Sequence, residues 1–142
     1  MSQERKGVEP TYTISFWLRE LLVPVDGSGS SMKALDLAVD FAMRYGSRIT
    51  VLYACSDCSD AEEVRSQVDK RVGGRAEYAF RVVQFDPRSS SATNEILRAL
   101  SEGSYDAVIM GARGTSVNSD INVGSTAIAV AAHAPVTVIL VR

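Results

Sequence analysis

The strongest constraint on this chain is a regular alternation of short apolar runs with stretches of helical periodicity, carried from residue 21 to the end. Leu21-Leu-Val-Pro-Val25 is the first run, apolar throughout, as expected of a strand covered on both faces. Ile49 to Ala54, Ala107 to Met110 and Val136 to Val141 repeat the pattern, and Glu77 to Phe85 reads as a more exposed strand carrying Arg81 and Gln84. Helical stretches fill the gaps. Leu35, Ala38, Val39, Ala42 and Met43 recur at helical spacing, with Gly46 as a stop. Ser59 to Glu62, or Asp60 to Glu63 one step on, fits a capping box ahead of a narrow Val64, Val68, Val72 stripe that ends at Gly73 and Gly74. Ser89 to Thr93 leads into a third helix with Ile96, Leu97 and Leu100, closed by Gly103, and Ala127 to Ala134 is a fourth. Strand and helix in turn predict a parallel sheet between two helical layers, a three-layer α/β domain. Pro24 argues against a central strand because it has no N–H to donate, so it is placed near the C-terminal end of its run, where pairing is already failing.

Composition sets the outer limits. The 142 residues, 46% hydrophobic and 23% charged, suffice for one domain around one substantial core. A net charge of -2 and a pI near 5.4 make no electrostatic case for nucleic acid. No apolar run is long enough to cross a bilayer, and Thr11 to Leu22 is too interrupted by Thr, Ser, Arg and Glu for a signal-peptide core, so no membrane role and a cytoplasmic location are expected. The domain is expected over residues 21–142, with 1–20 as an N-terminal extension. Thr11 to Trp17 within it is aromatic and β-rich, and two readings stay open: an arm that pairs with a sheet edge or a partner subunit, and a loose leader.

Cys55 and Cys58 share Cys-x-x-Cys spacing, but with His133 as the single histidine they fall short of four zinc ligands. Such spacing can lower a thiol pKa, which allows a redox role; the plainer reading is a small buried Cys55 at a strand end and an incidental Cys58. His133, next to Ala134-Pro135, suits the C-terminal end of a helix, where its charge would favour the dipole.

The chemistry of the chain concentrates between Gly111 and Thr126. Glycines at 111, 114 and 124, the last followed by Ser125 and Thr126, sit between an apolar strand and a small-residue helix. Glycine lets backbone approach a ligand, and N–H groups and hydroxyls at a helix start favour an anion. A phosphate-binding loop fits, as does a long flexible connection. Asp26-Gly-Ser-Gly-Ser-Ser31 after the first strand is a second polar, glycine-bearing loop. Should strands one and four be neighbours at a switch point of the sheet, both loops would face one crevice. No Walker Lys-Ser or Lys-Thr follows a glycine, the third glycine of a dinucleotide fingerprint would fall on Met32, and FMN would lack obvious aromatic partners.

Gly111-x-x-Gly114, nine residues, then Gly124-Ser125 resembles the ATP-binding signature of the universal stress protein family. The resemblance runs from about Leu21 to Arg142 and takes in Leu-Val-Pro-Val-Asp-Gly-Ser (22–28), the strand Ile-Thr-Val-Leu-Tyr-Ala and the closing His-Ala-Pro-Val-Thr-Val-Ile-Leu-Val-Arg. It implies an open five-stranded parallel sheet of order 3-2-1-4-5, Rossmann-like in the manner of the adenine nucleotide alpha hydrolase fold, with a nucleotide lying across strands one and four. By position it places Pro24, Val25 and Ala54 against adenine, Asp26 near the ribose or a phosphate-bound Mg or Mn ion, and Gly111, Arg113, Gly114, Gly124, Ser125 and Thr126 around ribose and phosphates. Arg113 also suits a solvent-facing position. The resemblance further implies a homodimer through Val136 to Val141. The chain departs from the family in a polar spacer containing Asp120, in Ser91 where a glycine is common, and in its aromatic N-terminal arm.

No Ser/His/Asp set or paired carboxylates stand out, so an ATP-binding regulatory protein of the stress response is expected rather than a fast enzyme, with slow ATP hydrolysis still compatible. The competing expectation is an interaction protein that keeps the fold and binds no nucleotide.

Overall fold

Every apolar run becomes a strand and every periodic stretch a helix. In chain order they are β1 (Glu20–Val25), α1 (Gly29–Tyr45), β2 (Arg48–Cys55), α2 (Ala61–Val72), β3 (Tyr78–Gln84), α3 (Ala92–Glu102), β4 (Ala107–Gly111), α4 (Ser125–His133) and β5 (Thr137–Val141). The structure, a computed structural model, describes residues 17–113 and 123–142; the Thr11 to Phe16 arm, Gly114 and Asp120 lie outside the described residues. All the strand pairs are parallel, in the order β3-β2-β1-β4-β5.

Two cores explain why the strands read as unbroken apolar runs. Alternate residues of a strand point to opposite faces of the sheet. Leu21, Val23 and Val25 of β1 join Val51 and Tyr53 of β2, Ile109 of β4, Leu35 and Val39 of α1, and Val64, Val68 and Val72 of α2. Leu22, Leu52, Val108 and Met110 face the other way, onto Ile96 and Leu100 of α3 and Val130 of α4. The valine stripe of α2 is fully used, and Arg71 of α2 adds a two-pronged bond to Asp36 of α1, Nε–Oδ1 and Nη2–Oδ2 both 2.8 Å. That guanidinium holds the Asp36 carboxyl below its usual pKa.

Two local expectations are corrected, for Met43 and for the capping box, and the Gly103 stop holds. Met43 does not join the core and is 58% exposed. Each four-residue step along a helix overshoots a full turn by about 40°, so the row Leu35, Val39, Met43 drifts off the sheet-facing arc. The capping box before α2 is not made: Asp60 is the N-cap residue but caps nothing with its side chain, because its carboxylate accepts the Tyr53 phenol at 2.7 Å. Gly103 ends α3 in extended backbone, and a Cβ there would run into the Tyr105 ring.

Pro24 lies near the C-terminal end of β1, the central strand, as expected. It is in register with Leu52 on the β2 side, whereas on the β4 side the pairs stop at Leu22↔Val108. The residue without a donor thus stands just beyond the point where the β1–β4 ladder ends.

Gly111 closes β4 under the first turn of α1. A Cβ on it would come within 2.7 Å of the Ser30 carbonyl carbon and 2.8 Å of the Ser31 nitrogen, and against the Ser30 hydroxyl as well. Two of these obstacles are backbone, so relief requires the helix to lift from the sheet. Gly111→Ala is expected to cost about 1–3 kcal/mol, in the range of overpacked cores. Urea unfolding of the two proteins measures it, and equal midpoints would refute the close-packing account.

Candidate functional site

The sheet changes winding direction between β1 and β4, and there, beyond the strand ends, lies a cavity of about 300 Å³. That volume is at the lower end of the range of about 300–1,000 Å³ usual for small-molecule sites. Nine residues singled out from the sequence line it together: Pro24, Val25, Asp26, Ala54, Gly111, Arg113, Gly124, Ser125 and Thr126. Gly114, the tenth, lies outside the described residues.

Part of the cavity lining is apolar. Leu52 and Ala54 from β2, Met110 from β4, Ile96 from α3 and Ala127 from α4 form it, with Pro24 and Val25. The rest is polar. Asp26 leads the β1–α1 turn, its Oδ1 accepting the Ser28 N–H at 2.9 Å, while Gly27 takes φ +83°, a conformation that L side chains rarely adopt. Ser28 then caps α1 by accepting the Ser31 N–H at 3.2 Å, and the Ser31 hydroxyl donates to the Ser28 carbonyl at 2.9 Å.

The start of α4 is built differently. Its N-cap is Gly124, which offers no side chain to the first-turn N–H groups, whereas Ser91 caps α3 by accepting from Asn94 at 3.1 Å. Gly124 is instead anchored through its own N–H to the Ala112 carbonyl at 2.6 Å. The first turn of α4 therefore presents backbone donors to the cavity with the Ser125 and Thr126 hydroxyls beside them, and the Thr126 hydroxyl lies 3.2 Å from that of Thr93 on α3. Such a helix start attracts negative charge. Arg113 also lines the cavity, exposed, its N–H bonded to the Ser30 hydroxyl at 3.3 Å.

The sequence profile of the Universal stress protein family matches residues 18–142. The chain belongs to the universal stress protein family. A Staphylococcus haemolyticus chain bearing that family name is 27% identical over 139 residues, covering 87% of this chain and 84% of the relative. The structure of the universal stress protein UspA from Lactobacillus plantarum is similar at 25% identity and a TM-score of 0.74, over 87% of this chain and 97% of that one. A universal stress protein crystallised in complex with cAMP is similar in fold, with 21% identity and a TM-score of 0.72 over 88% of this chain and 97% of the other.

The lining residues that sequence reasoning missed in this family member are Ser31, Leu52, Ala92, Ile96, Met110 and Ala127. Most are apolar and read only as core. Ser31 carried a signal, being the last hydroxyl of the Asp26 to Ser31 loop. Among the described residues no group of three His, Cys, Asp or Glu side chains is placed to hold a metal ion. His133 is exposed at the far end of α4, about 12 Å along the helix axis from its start.

Cys58 is not incidental: it forms a disulfide with Cys55, at the end of β2 directly after Ala54 of the cavity wall. Asp60 and Tyr53 brace the same strand end. Burial, then the Asp60 hydrogen bond, then the nearby carboxylates of Asp60, Asp26 and Asp57 push the Tyr53 phenol up to about 12. A phenol that keeps its proton in the folded chain between pH 10 and 12 and loses it in the unfolded chain contributes stability that is complete below pH 10. That contribution disappears as the pH rises through 12. The phenolate absorbance difference between the parent chain and Tyr53→Phe should accordingly titrate near pH 12. A difference titrating near pH 10 would contradict the buried, acid-flanked placement.

Proposed function

We propose that the cavity binds an adenine nucleotide, ATP in the first instance, and that the protein acts as a nucleotide-responsive regulator in the stress response. The carrying observation is the mixed lining of one cavity: apolar side chains from β1, β2, β4 and α3 share it with a glycine-started helix, two hydroxyls and an arginine. In this reading Pro24, Val25 and Ala54 meet the adenine, while Gly111, Arg113, Gly124, Ser125 and Thr126 surround ribose and phosphates. The polar part of the lining suits phosphate because backbone donors at a helix start carry positive potential without a side chain that must be ordered. The cAMP held by a structural relative supports an adenine ligand for this fold.

Asp26 is the carboxylate at hand for a Mg or Mn ion brought in on the phosphates. One of its oxygens is taken by Ser28, which leaves the other for the ion. Magnesium in nucleotide sites is typically held by one or two carboxylates and the phosphates, so a single aspartate fits a metal that arrives with its nucleotide. The chemistry such an ion supplies is charge neutralisation at the phosphates. His133, at the other end of α4, is out of reach, and this favours retention and sensing over rapid turnover.

Calorimetry with Mg–ATP tests the site. Gly124→Val places a β-branched side chain at the α4 start, and it is expected to weaken binding at least about tenfold, or 1.4 kcal/mol. Equal affinity for the two proteins would sink the phosphate placement, and no heat with either would leave the fold as a protein-interaction scaffold.

The same reading includes a homodimer through the β5 edge. The strand is apolar from Val138 to Val141, half-buried, and stands at the end of the sheet, where unpaired backbone groups invite another strand. Sedimentation at micromolar concentration should show a dimer; a monomer alone would remove this part of the proposal.

A further inference from the structure

Neither Cys55 nor Cys58 lines the cavity, yet their disulfide stands at the end of the strand that walls it. We infer that this pair is a reversible thiol–disulfide exchange site whose oxidation state sets the affinity of the adjoining cavity for adenine nucleotide. The coupling rests on the nucleotide reading above; the exchange chemistry does not.

Staple and exchange site are distinguished by placement. A bridge between residues three apart closes a very short loop and takes little freedom from the unfolded chain, so it is poorly suited to stabilising a fold that already has two apolar cores. Its Cys-x-x-Cys spacing is that of dithiol centres that cycle between states. Access is asymmetric. Cys55 is 6% exposed, whereas Cys58 is half-buried among the exposed Ser56, Asp57 and Ser59. An incoming thiolate therefore meets the Cys58 sulfur first.

The exchange balances with a low-molecular-weight thiol as reductant. Its thiolate attacks Cys58 Sγ, forming a mixed disulfide and releasing Cys55 as a thiolate that takes up the proton given by the attacking thiol. A second thiol then attacks the sulfur of the first, releasing Cys58 as the thiol and leaving as the small-molecule disulfide. Two electrons and two protons pass to the protein, and the reverse reaction uses the small-molecule disulfide as oxidant. Both states are accommodated. Cys55 Sγ lies 3.9 Å from the Val83 carbonyl oxygen and Cys58 Sγ 3.4 Å from that of Cys55, so each thiol formed on reduction has an acceptor within reach.

Coupling runs through the end of β2. Ala54 presents to the cavity while Cys55, one residue on, faces the opposite core with Tyr53 and Val25, and Val25 lines the cavity too. The Cys55 carbonyl accepts the Phe85 N–H at 3.0 Å, and the Ser56 carbonyl accepts from Gln84 Nε2 at 3.2 Å. The bridge folds the turn before α2 back onto this strand end and adds a covalent restraint to the Tyr53–Asp60 bond. Opening it leaves the wall around Ala54 less restrained, so the oxidised form, already organised, binds the nucleotide more tightly.

The full chain is equilibrated in glutathione buffers of graded thiol-to-disulfide ratio, quenched in acid, alkylated and counted by mass spectrometry. Both end states are then titrated with Mg–ATP. The expected result is one reversible two-electron curve approached equally from either side, with about tenfold tighter ATP binding in the oxidised form, within the usual range of coupling. By reciprocity, saturating ATP then shifts the curve by about 30 mV. Cys58→Ser and Cys58→Ala, at the more exposed position, should bind ATP like the reduced chain and ignore the buffer. A bridge that does not open or reform under native conditions overturns the inference, as does equal or weaker ATP affinity in the oxidised form. A reversible curve with ATP bound by neither form overturns the nucleotide reading and the coupling together, and so separates that failure from a failure of the exchange chemistry.

Discussion

The close seating of α1 on the end of β4 is the contact on which the carboxyl edge of the sheet depends. Gly111 permits it, since any side chain there would meet the backbone of Ser30 and Ser31. Once α1 is seated, the Ser30 hydroxyl lies between two other elements, donating to the Val141 carbonyl at 3.4 Å and accepting the Arg113 N–H at 3.3 Å. Ala112 donates to that same Val141 carbonyl at 2.8 Å and accepts Gly124 through its own carbonyl. Gly111, Ser30 and the Ala112 backbone thus fix the ends of β4 and β5 and the beginnings of α1 and α4 relative to one another. All four border the cavity or support its border.

Much of this was legible in the residues, because parallel strands covered on both faces leave unbroken apolar runs such as Leu21 to Val25 and Ala107 to Met110. The order of the strands was not. Nothing in a run of valines says which neighbour it takes, and the order 3-2-1-4-5 came from the family resemblance before the structure bore it out. The polar half of the cavity stood out through its glycines and hydroxyls. The apolar half was hidden, since Leu52, Ile96 and Met110 look the same in sequence whether they face a ligand or a helix. Gly111 has a second role that the residues did not show: it lines the cavity as expected, and its bareness also seats α1 against the end of β4. Asp60 shows a further limit. A local rule makes it a helix cap, but a phenol seven residues upstream competes for the carboxylate and wins.

The cavity also illustrates how one omission can define a site. Serines cap α1 and α3, which spends a side-chain oxygen on the first N–H groups of each helix. Glycine at the start of α4 spends none, so the donors of that turn face the crevice. Universal stress proteins 21–25% identical to this chain share its fold over nearly their whole length, so the layered frame tolerates wide substitution.

The strand order carries a consequence for the chain as it is made. β1 finds β2 at once and β2 finds β3, so the amino-terminal half assembles from neighbours in sequence. The other edge of β1 has to wait for Ala107 and Val108, more than eighty residues after Leu21 and Leu22. Until then a central strand stands open, and the crevice has only one wall. The cavity is thus among the last features to appear in the newborn chain, because its second wall is made only when β4 takes its place beside β1.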